Sequence, residues 1–461
     1  MVLKIWREWR FPVEFALLLA LAFFLPLREA PKNLLWLAYV VTWLVNRVWA
    51  AGAARDFGGP WDRWDSLFLA WLSTGYLAAL FAGIRTPEAN EWGAVNDLVR
   101  YISLGWCVRR ARYTRAQALT VLGMLVASAA LATCEAWWNW KVLGLRRKLE
   151  LVSVGHVNHS AIYLVICLGA GFGALAAYWR SYGRVMAAVL TLALLLVGVG
   201  SFIADSRAAA GVALMLLLLV GAALARGLSM GWRAWLLTGA LLVAALGFGG
   251  VSAFTRHFEM APGNVLTERD LIWNRALVAV RANPLFGVGM DNFSRITDAR
   301  LKEWLDAEST AYDAAAYVRS PHAHSLYINT LTERGAVGLA VLLAVLTLWG
   351  HALWRLRPRA APAAATPSEA VDAALVLACW CAALSGWFVT VAIGFVNTTM
   401  HHEHAMLAVL TLALWIGSTA PPLAWIGSAA PPPRLPLART QIPPVLPPVL
   451  PPGPARPRNA D

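Results

Sequence analysis

The chain is predicted to be all-α: a polytopic integral membrane protein of about twelve transmembrane helices. Three observations carry that expectation. Of 461 residues, 59% are hydrophobic and 14% charged, where a soluble globular protein carries about 25% charged residues. Mean hydropathy is +0.56. Apolar runs of the ~20 residues needed to cross a ~30 Å hydrocarbon core recur along the sequence.

The first run, 11–27, follows Lys4, Arg7 and Arg10, which gives it the form of a signal peptide. No small-x-small cleavage site follows at Pro26-Leu27-Arg28-Glu29-Ala30, so it is read as an uncleaved span. Further runs fall near 33–51, 66–84, 92–108, 116–136, 159–178, 184–204, 208–225 and 234–254. After a long polar stretch come 325–349, 372–394 and 404–418. Arginines mark alternate loops: Arg47, Arg55 and Arg63; Arg109, Arg110, Arg112 and Arg115; Arg180 and Arg184; Arg226 and Arg233; Arg355, Arg357 and Arg359. By the positive-inside rule both termini are cytoplasmic. The organisation is then spans one to nine in 1–254, an outer loop in 255–324, spans ten to twelve in 325–418, and a Pro-rich tail in 419–461 that is read as disordered.

One short loop departs from the alternation. Lys141, Arg146, Arg147 and Lys148 lie between the fifth and sixth spans, on the side that should be poor in positive charge. Two readings stand: a patch that meets anionic lipid or phosphate, and an interfacial segment whose cations snorkel beside Trp137, Trp138 and Trp140. The formal charge of +13 does not point to nucleic acid, because Lys and Arg cluster beside apolar runs, where they set topology and meet anionic lipids. Five cysteines, all in or at the ends of apolar runs, make no disulfide framework.

The outer loop should be folded. Thr267-Glu268-Arg269-Asp270 has the form of a capping box, and the helix it opens should end at Ala282 before Asn283-Pro284. At ~100° per residue, Ile272, Trp273, Ala276 and Val280 make one stripe that includes Arg269, with Arg275 and Arg281 pointing elsewhere. A second helix is expected over Ser294 to Asp306.

Ionisable groups at the edge of an apolar segment are candidate functional groups. His324-Ser325, the nine residues to Arg334, and Gly335-Ala336-Val337-Gly338 form such an edge. The segment from Asn283 to Phe293 reads Asn-Pro-Leu-Phe-Gly-Val-Gly-Met-Asp-Asn-Phe, and Asp205-Ser206-Arg207 and Arg269-x-x-x-Trp273 lie upstream. Together these resemble the motifs of the O-antigen ligase and O-antigen polymerase superfamily, over roughly residues 155 to 345. Gly155-His156-Val157-Asn158-His159 is similar to the Asn-Pro or His-Pro segment of relatives but lacks the proline, and His159 is taken as lining.

The resemblance implies a GT-C-like glycosyltransferase of the Gram-negative inner membrane, acting at the periplasmic face. It would move a glycan from undecaprenyl pyrophosphate to a sugar hydroxyl of lipid A core. His324 occupies the motif position for a base, and a neutral imidazole of reference pKa ~6.5 suits that task. Arg207 and Arg269 are the candidates for the leaving pyrophosphate, since a guanidinium offers paired charge-assisted hydrogen bonds. Arg275, Arg334, His322 and His159 are weaker substrate-binding candidates, and the patch Lys141, Arg146, Arg147 and Lys148 is assigned to the acceptor. Expected partners are thus the lipid-linked glycan, the lipid A core acceptor and membrane lipids.

No cofactor or metal is expected, because no Asp-x-Asp stands in an outer loop to hold a divalent ion. His401, Glu403 and His404 invite a metal reading, but one helical segment presents only His401 and His404 together, and polar lining is the simpler role. Asp97 and Arg100, three residues apart, should compensate each other. An O-antigen polymerase or a protein O-oligosaccharyltransferase would use the same donor with another acceptor. A secondary transporter fits less well, since the halves show no repeat and the polar groups gather in one outer loop.

Overall fold

The computed structural model describes residues 2–48, 57–85, 91–204, 206–228, 268–359 and 366–419. The described residues are helical, without a strand. In chain order the helices are α1 Val2–Phe24, α2 Glu29–Val48, α3 Arg63–Leu80, α4 Glu91–Ala111, α5 Arg115–Lys141, α6 Val157–Ile203 and α7 Arg207–Gly227. They continue as α8 Arg269–Ala282, α9 Asp298–Ala307, α10 Leu326–Arg355, α11 Pro367–Gly394 and α12 His402–Thr419. The expected ninth span at 234–254 and the Pro-rich tail lie outside the described residues.

Local chemistry sets several starts. Asp62 with Asp65, Thr114 with Gln117, and Thr366 with Glu369 form reciprocal capping boxes on α3, α5 and α11, and Pro367 supplies the first residue of α11, where no backbone donor is needed. At 1.5 Å per residue, the 47 residues of α6 would run about 70 Å, over twice a hydrocarbon core. The helix is broken at Gly183, where φ is +82°. The break falls between the two spans expected at 159–178 and 184–204.

Among the described residues α5, α6, α7, α10 and α11 are long and apolar enough to cross a membrane. The remaining long helices carry more charge, and several of those charges are paired inside the bundle. Glu14 of α1 accepts from Asn46 at 2.7 Å, Arg47 at 3.0 Å and Tyr113 at 3.2 Å, all buried. Asp65 is buried between Arg109 and Arg110. Lys32 of α2 is buried against Glu403 of α12, with Glu29 on its other side at 2.8 Å. Arg47, Arg109 and Arg110, expected as loop topology determinants, are therefore also packing groups whose charge is matched by acids. A buried charge without such a partner would cost several kcal/mol.

α11 packs along α6, α12 along α4 and α3 along α10. Between α8 and α10 the chain folds on a small apolar core of its own, with Ile272, Ala276, Val288, Phe293, Leu301 and Leu305 buried. The expectations here need two corrections. The second helix starts at Asp298, capped by Thr297, after a 3₁₀ turn at Phe293–Arg295. On α8 the buried face is Ile272, Arg275, Ala276, Val278 and Ala279, so the stripe is rotated from the predicted one and Arg275 faces inward. The apolar pattern misled because Arg275 is neutralised by Asp298 and donates to the Ile296 carbonyl.

The Arg alternation predicts sidedness. With Cys107, Cys134, Cys167, Cys379 and Cys381 replaced, a single cysteine at Ser309 should react with an impermeant thiol reagent applied from the periplasm, and one at Arg357 should not. The opposite labelling would invert the proposed orientation.

Candidate active site

The two glycine-rich motifs meet through their backbones. α10 breaks at Gly335, where φ is +64°. In an unbroken helix the carbonyls of Thr332 and Glu333 would accept from Ala336 and Val337. Here those carbonyls accept from Val288 at 2.9 Å and Gly289 at 3.1 Å, while Ala336 and Val337 donate to Pro284 at 2.8 Å and Leu285 at 3.3 Å. Every backbone group freed by the break is satisfied, as a buried position demands. On its other edge the same segment accepts from Gly83 and Ile84, through Gly287 and Val288. Glycine is needed at the contact: a Cβ on Gly335 would lie 2.2 Å from the Leu285 carbonyl oxygen, and one on Gly287 2.5 Å from that of Thr332.

His324 stands just before α10. Its φ of +47° is left-handed, uncommon outside glycine though more frequent for His than for most residues. The neighbouring peptide is held on both sides: the Trp273 indole donates to the Ala323 carbonyl at 2.8 Å, and the Ala323 N–H donates to the Asn329 side chain at 3.1 Å. Ser325 caps α10 by accepting from Ile328 at 3.5 Å, and its hydroxyl donates to the Gly394 carbonyl at 3.3 Å. The His-Ser pair is thus a helix start with an imidazole fixed ahead of it.

Arg269 opens α8, one turn before Trp273 and on the same face. The Arg-x-x-x-Trp spacing now has a geometric meaning, because the indole that anchors the His324 loop puts Arg269 within electrostatic reach of His324. Burial, then the Arg269 guanidinium and the His322 and His156 imidazoles, hold His324 down at about 4. Burial and the Arg207 guanidinium lower Arg269 in turn. Arg207 is the exposed first residue of α7, after the N-cap Ser206. Arg269 thus lies within electrostatic reach of two residues distant in sequence, Arg207 and His324. Asp205 and Thr267 lie outside the described residues; the N-cap of α8 is Glu268, in a left-handed conformation.

Beside His324 the loop ends before α6, α10 and α12 gather further histidines. Ring centroids of His159 lie 5.9 Å from His156, 5.8 Å from His401 and 5.0 Å from His404, and His322 is 5.3 Å from His401. His402 Nδ1 is 3.5 Å from Asp97, which also pairs with Arg100 at 2.9 Å as the spacing predicted. His404 Nε2 is 3.2 Å from the Thr398 carbonyl. Glu403 turns away to Lys32. Among the described residues no three His, Cys, Asp or Glu side chains are arranged to hold a metal ion.

The weaker candidates separate. Arg334 is buried and reaches the Thr74 hydroxyl at 3.3 Å, and Arg275 is engaged within the loop's own core. Lys141, Arg146, Arg147 and Lys148 are exposed, Lys141 lying 3.7 Å over the Trp140 ring and Arg146 3.4 Å from Glu150. Sequence reasoning missed the anchoring of His324 by Trp273 and Asn329. It also missed Glu333, a carboxylate buried on α10.

His322, His324 and His401 are all lowered, chiefly by burial, and for His401 the neighbouring imidazoles add to it. A depressed histidine takes its proton first in the unfolded chain, so stability is lost as pH falls below ~6.5; for His324 the loss runs down to about 4. Melting temperature in detergent should therefore drop from pH 7 to pH 5, and drop less in His324→Gln. Equal losses in both proteins would contradict the depressed value.

No curated protein matches the chain. Residues 192–343 match a family model described as O-Antigen ligase. That span holds Arg207, Arg269, the 283–289 segment, His324 and the Gly335 break, so the residues of the candidate site fall within the region similar to the O-antigen ligase family.

Proposed function

We propose that the protein is an O-antigen ligase, transferring a glycan from undecaprenyl pyrophosphate to a sugar hydroxyl of lipid A core at the periplasmic face of the Gram-negative inner membrane. The placing of Arg269 within electrostatic reach of both His324 and Arg207 carries this reading. Neutral His324 takes the proton of the acceptor hydroxyl as its oxygen bonds to the anomeric carbon. The bond from that carbon to the pyrophosphate oxygen breaks, and the electron pair leaves with the lipid pyrophosphate. Arg207 and Arg269 meet the charge that gathers there.

A polymerase or a protein O-oligosaccharyltransferase shares this donor chemistry. The exposed patch at Lys141, Arg146, Arg147 and Lys148 favours a phosphorylated lipid acceptor. The test is to mix purified protein with lipid-linked glycan, in EDTA, and with lipid A core, free lipid-linked glycan or a protein acceptor in turn. Transfer to lipid A core supports the reading; transfer only to one of the others, or only after Mg²⁺ is restored, overturns it.

The arginines should respond differently from the patch. Hydrogen bonds to a charged group contribute about 1.5 to 3 kcal/mol, and a planar fork matters as well as charge. Arg207→Lys and Arg269→Lys should therefore each slow transfer by about 10-fold or more. Lys and Arg should be interchangeable in the patch, where acidic substitutions raise the acceptor KM in a salt-dependent way and spare donor binding. Full activity in both Lys variants would remove the arginines from the donor site.

A further inference from the structure

The histidines beside the centre carry an inference that rests on the proposed transferase reading and extends it. His156, His159, His322, His401 and His402 come from three separate loop ends, with the ring pairs 156–159, 159–401 and 322–401 at 5.3 to 5.9 Å. His404 lies beneath His159. His156 and His402 are exposed, while His159, His322 and His401 are half-buried, so the group forms one open face. Aspartates stand at its two edges: Asp97 at His402, and exposed Asp291 within electrostatic reach of His322.

We propose that this imidazole face is a sugar subsite, binding an uncharged, hydroxyl-bearing pyranose of the transferred or receiving glycan next to His324. The physical argument is a division of charge. Phosphate calls for fixed cations, and Arg269, within electrostatic reach of Arg207 and His324, supplies them. His401 is held towards the neutral form by burial and its neighbouring imidazoles, and His322 by burial, which outweighs the nearby Asp291 carboxylate. Carboxylates at the two edges further disfavour an anion.

A neutral imidazole offers one donor and one acceptor, as a sugar hydroxyl does. The exposed imidazoles of His156 and His402 present that pair of groups on the open face, and Asp97 beside His402 supplies acceptor oxygens of the kind that take hydroxyl donors. The metal alternative lacks geometry, since no three ligands are suitably arranged among the described residues.

The test reads binding without turnover. Purified full-length protein is treated with diethyl pyrocarbonate, and modification of His156, His322 and His402 is followed by peptide mass spectrometry. Three probes compete: the neutral oligosaccharide released from the carrier lipid, the dephosphorylated core oligosaccharide, and inorganic pyrophosphate. Protection by either oligosaccharide and not by pyrophosphate is the expected result, and the protecting one identifies whether donor or acceptor sugar sits there.

His402→Ala and His401→Ala should raise KM for that substrate about 2- to 10-fold, the worth of one hydrogen bond, with kcat changed less. Protection by pyrophosphate, or by no probe, overturns the subsite. Because protection needs no transfer, a chain that binds sugar here but fails every transfer assay would sink the transferase reading alone.

Discussion

His324→Ala should lower glycan transfer by about 10²-fold or more while leaving the protein folded, because that is the lower range for loss of a positioned general base. The fold should survive because the anchors of this loop are backbone and neighbour contacts: Trp273 and Asn329 hold the Ala323 peptide, and Ser325 caps α10. The loss should fall on kcat at saturating donor and acceptor. His322→Ala, two residues away in the imidazole face, should lose much less. The acid limb of kcat/KM should lie well below the usual histidine range, since His324 is held at about 4 and must be neutral to act. Transfer by purified His324→Ala at the unsubstituted rate would remove it from the chemistry.

Gly335→Ala should have the largest effect on the folded protein. An L-residue in the left-handed region costs about 1–2 kcal/mol, and overpacking typically adds about 1–3 kcal/mol. Here the added Cβ would sit 2.2 Å from the Leu285 oxygen and 2.5 Å from the Phe286 nitrogen, both backbone atoms that cannot rotate away. Relief requires pulling the 283–289 segment off the broken turn, which strands the four backbone groups it satisfies. Gly335→Ala should therefore lose most monodisperse protein on gel filtration, and activity with it. Gly144→Ala is the control, because its φ of +63° is similar but nothing lies within 4 Å of its Cβ. If Gly335→Ala were as stable as Gly144→Ala, the backbone clamp would not be what holds the motifs together.

Much of the bundle was legible because each crossing must satisfy its backbone internally and present an apolar surface. The end of α8 at Ala282, the start of α10 after Ser325 and the division of α6 near Gly183 follow from Pro, Ser and Gly at those positions. Charge pairing was less legible. Asp97 and Arg100 are neighbours on one helix turn, whereas Glu14–Arg47 and Lys32–Glu403 join residues with no fixed spacing. Likewise periodicity counted Arg275 as polar and could not include Asp298, the partner that lets it face inward.

In the candidate site, motif spacing singled out Arg207, Arg269 and His324. It left open why Trp273 belongs with Arg269, since the indole's task is to hold a peptide 50 residues further on. The histidines at 156–159 and 401–404 were each visible as polar helix starts. Their union into one face is a property of packing, because separate connections must end side by side.

The ion pair between Lys32 and Glu403 spans 371 residues of sequence. Synthesis runs from the N-terminus, so Lys32 enters the bilayer long before its eventual partner exists. During that interval Glu29, 2.8 Å away on the same helix, serves as a temporary counter-ion. Arrival of α12 then ties α2 to it across the intervening sequence. A chain released before residue 403 would leave Lys32 with the exposed Glu29 alone in place of a buried partner.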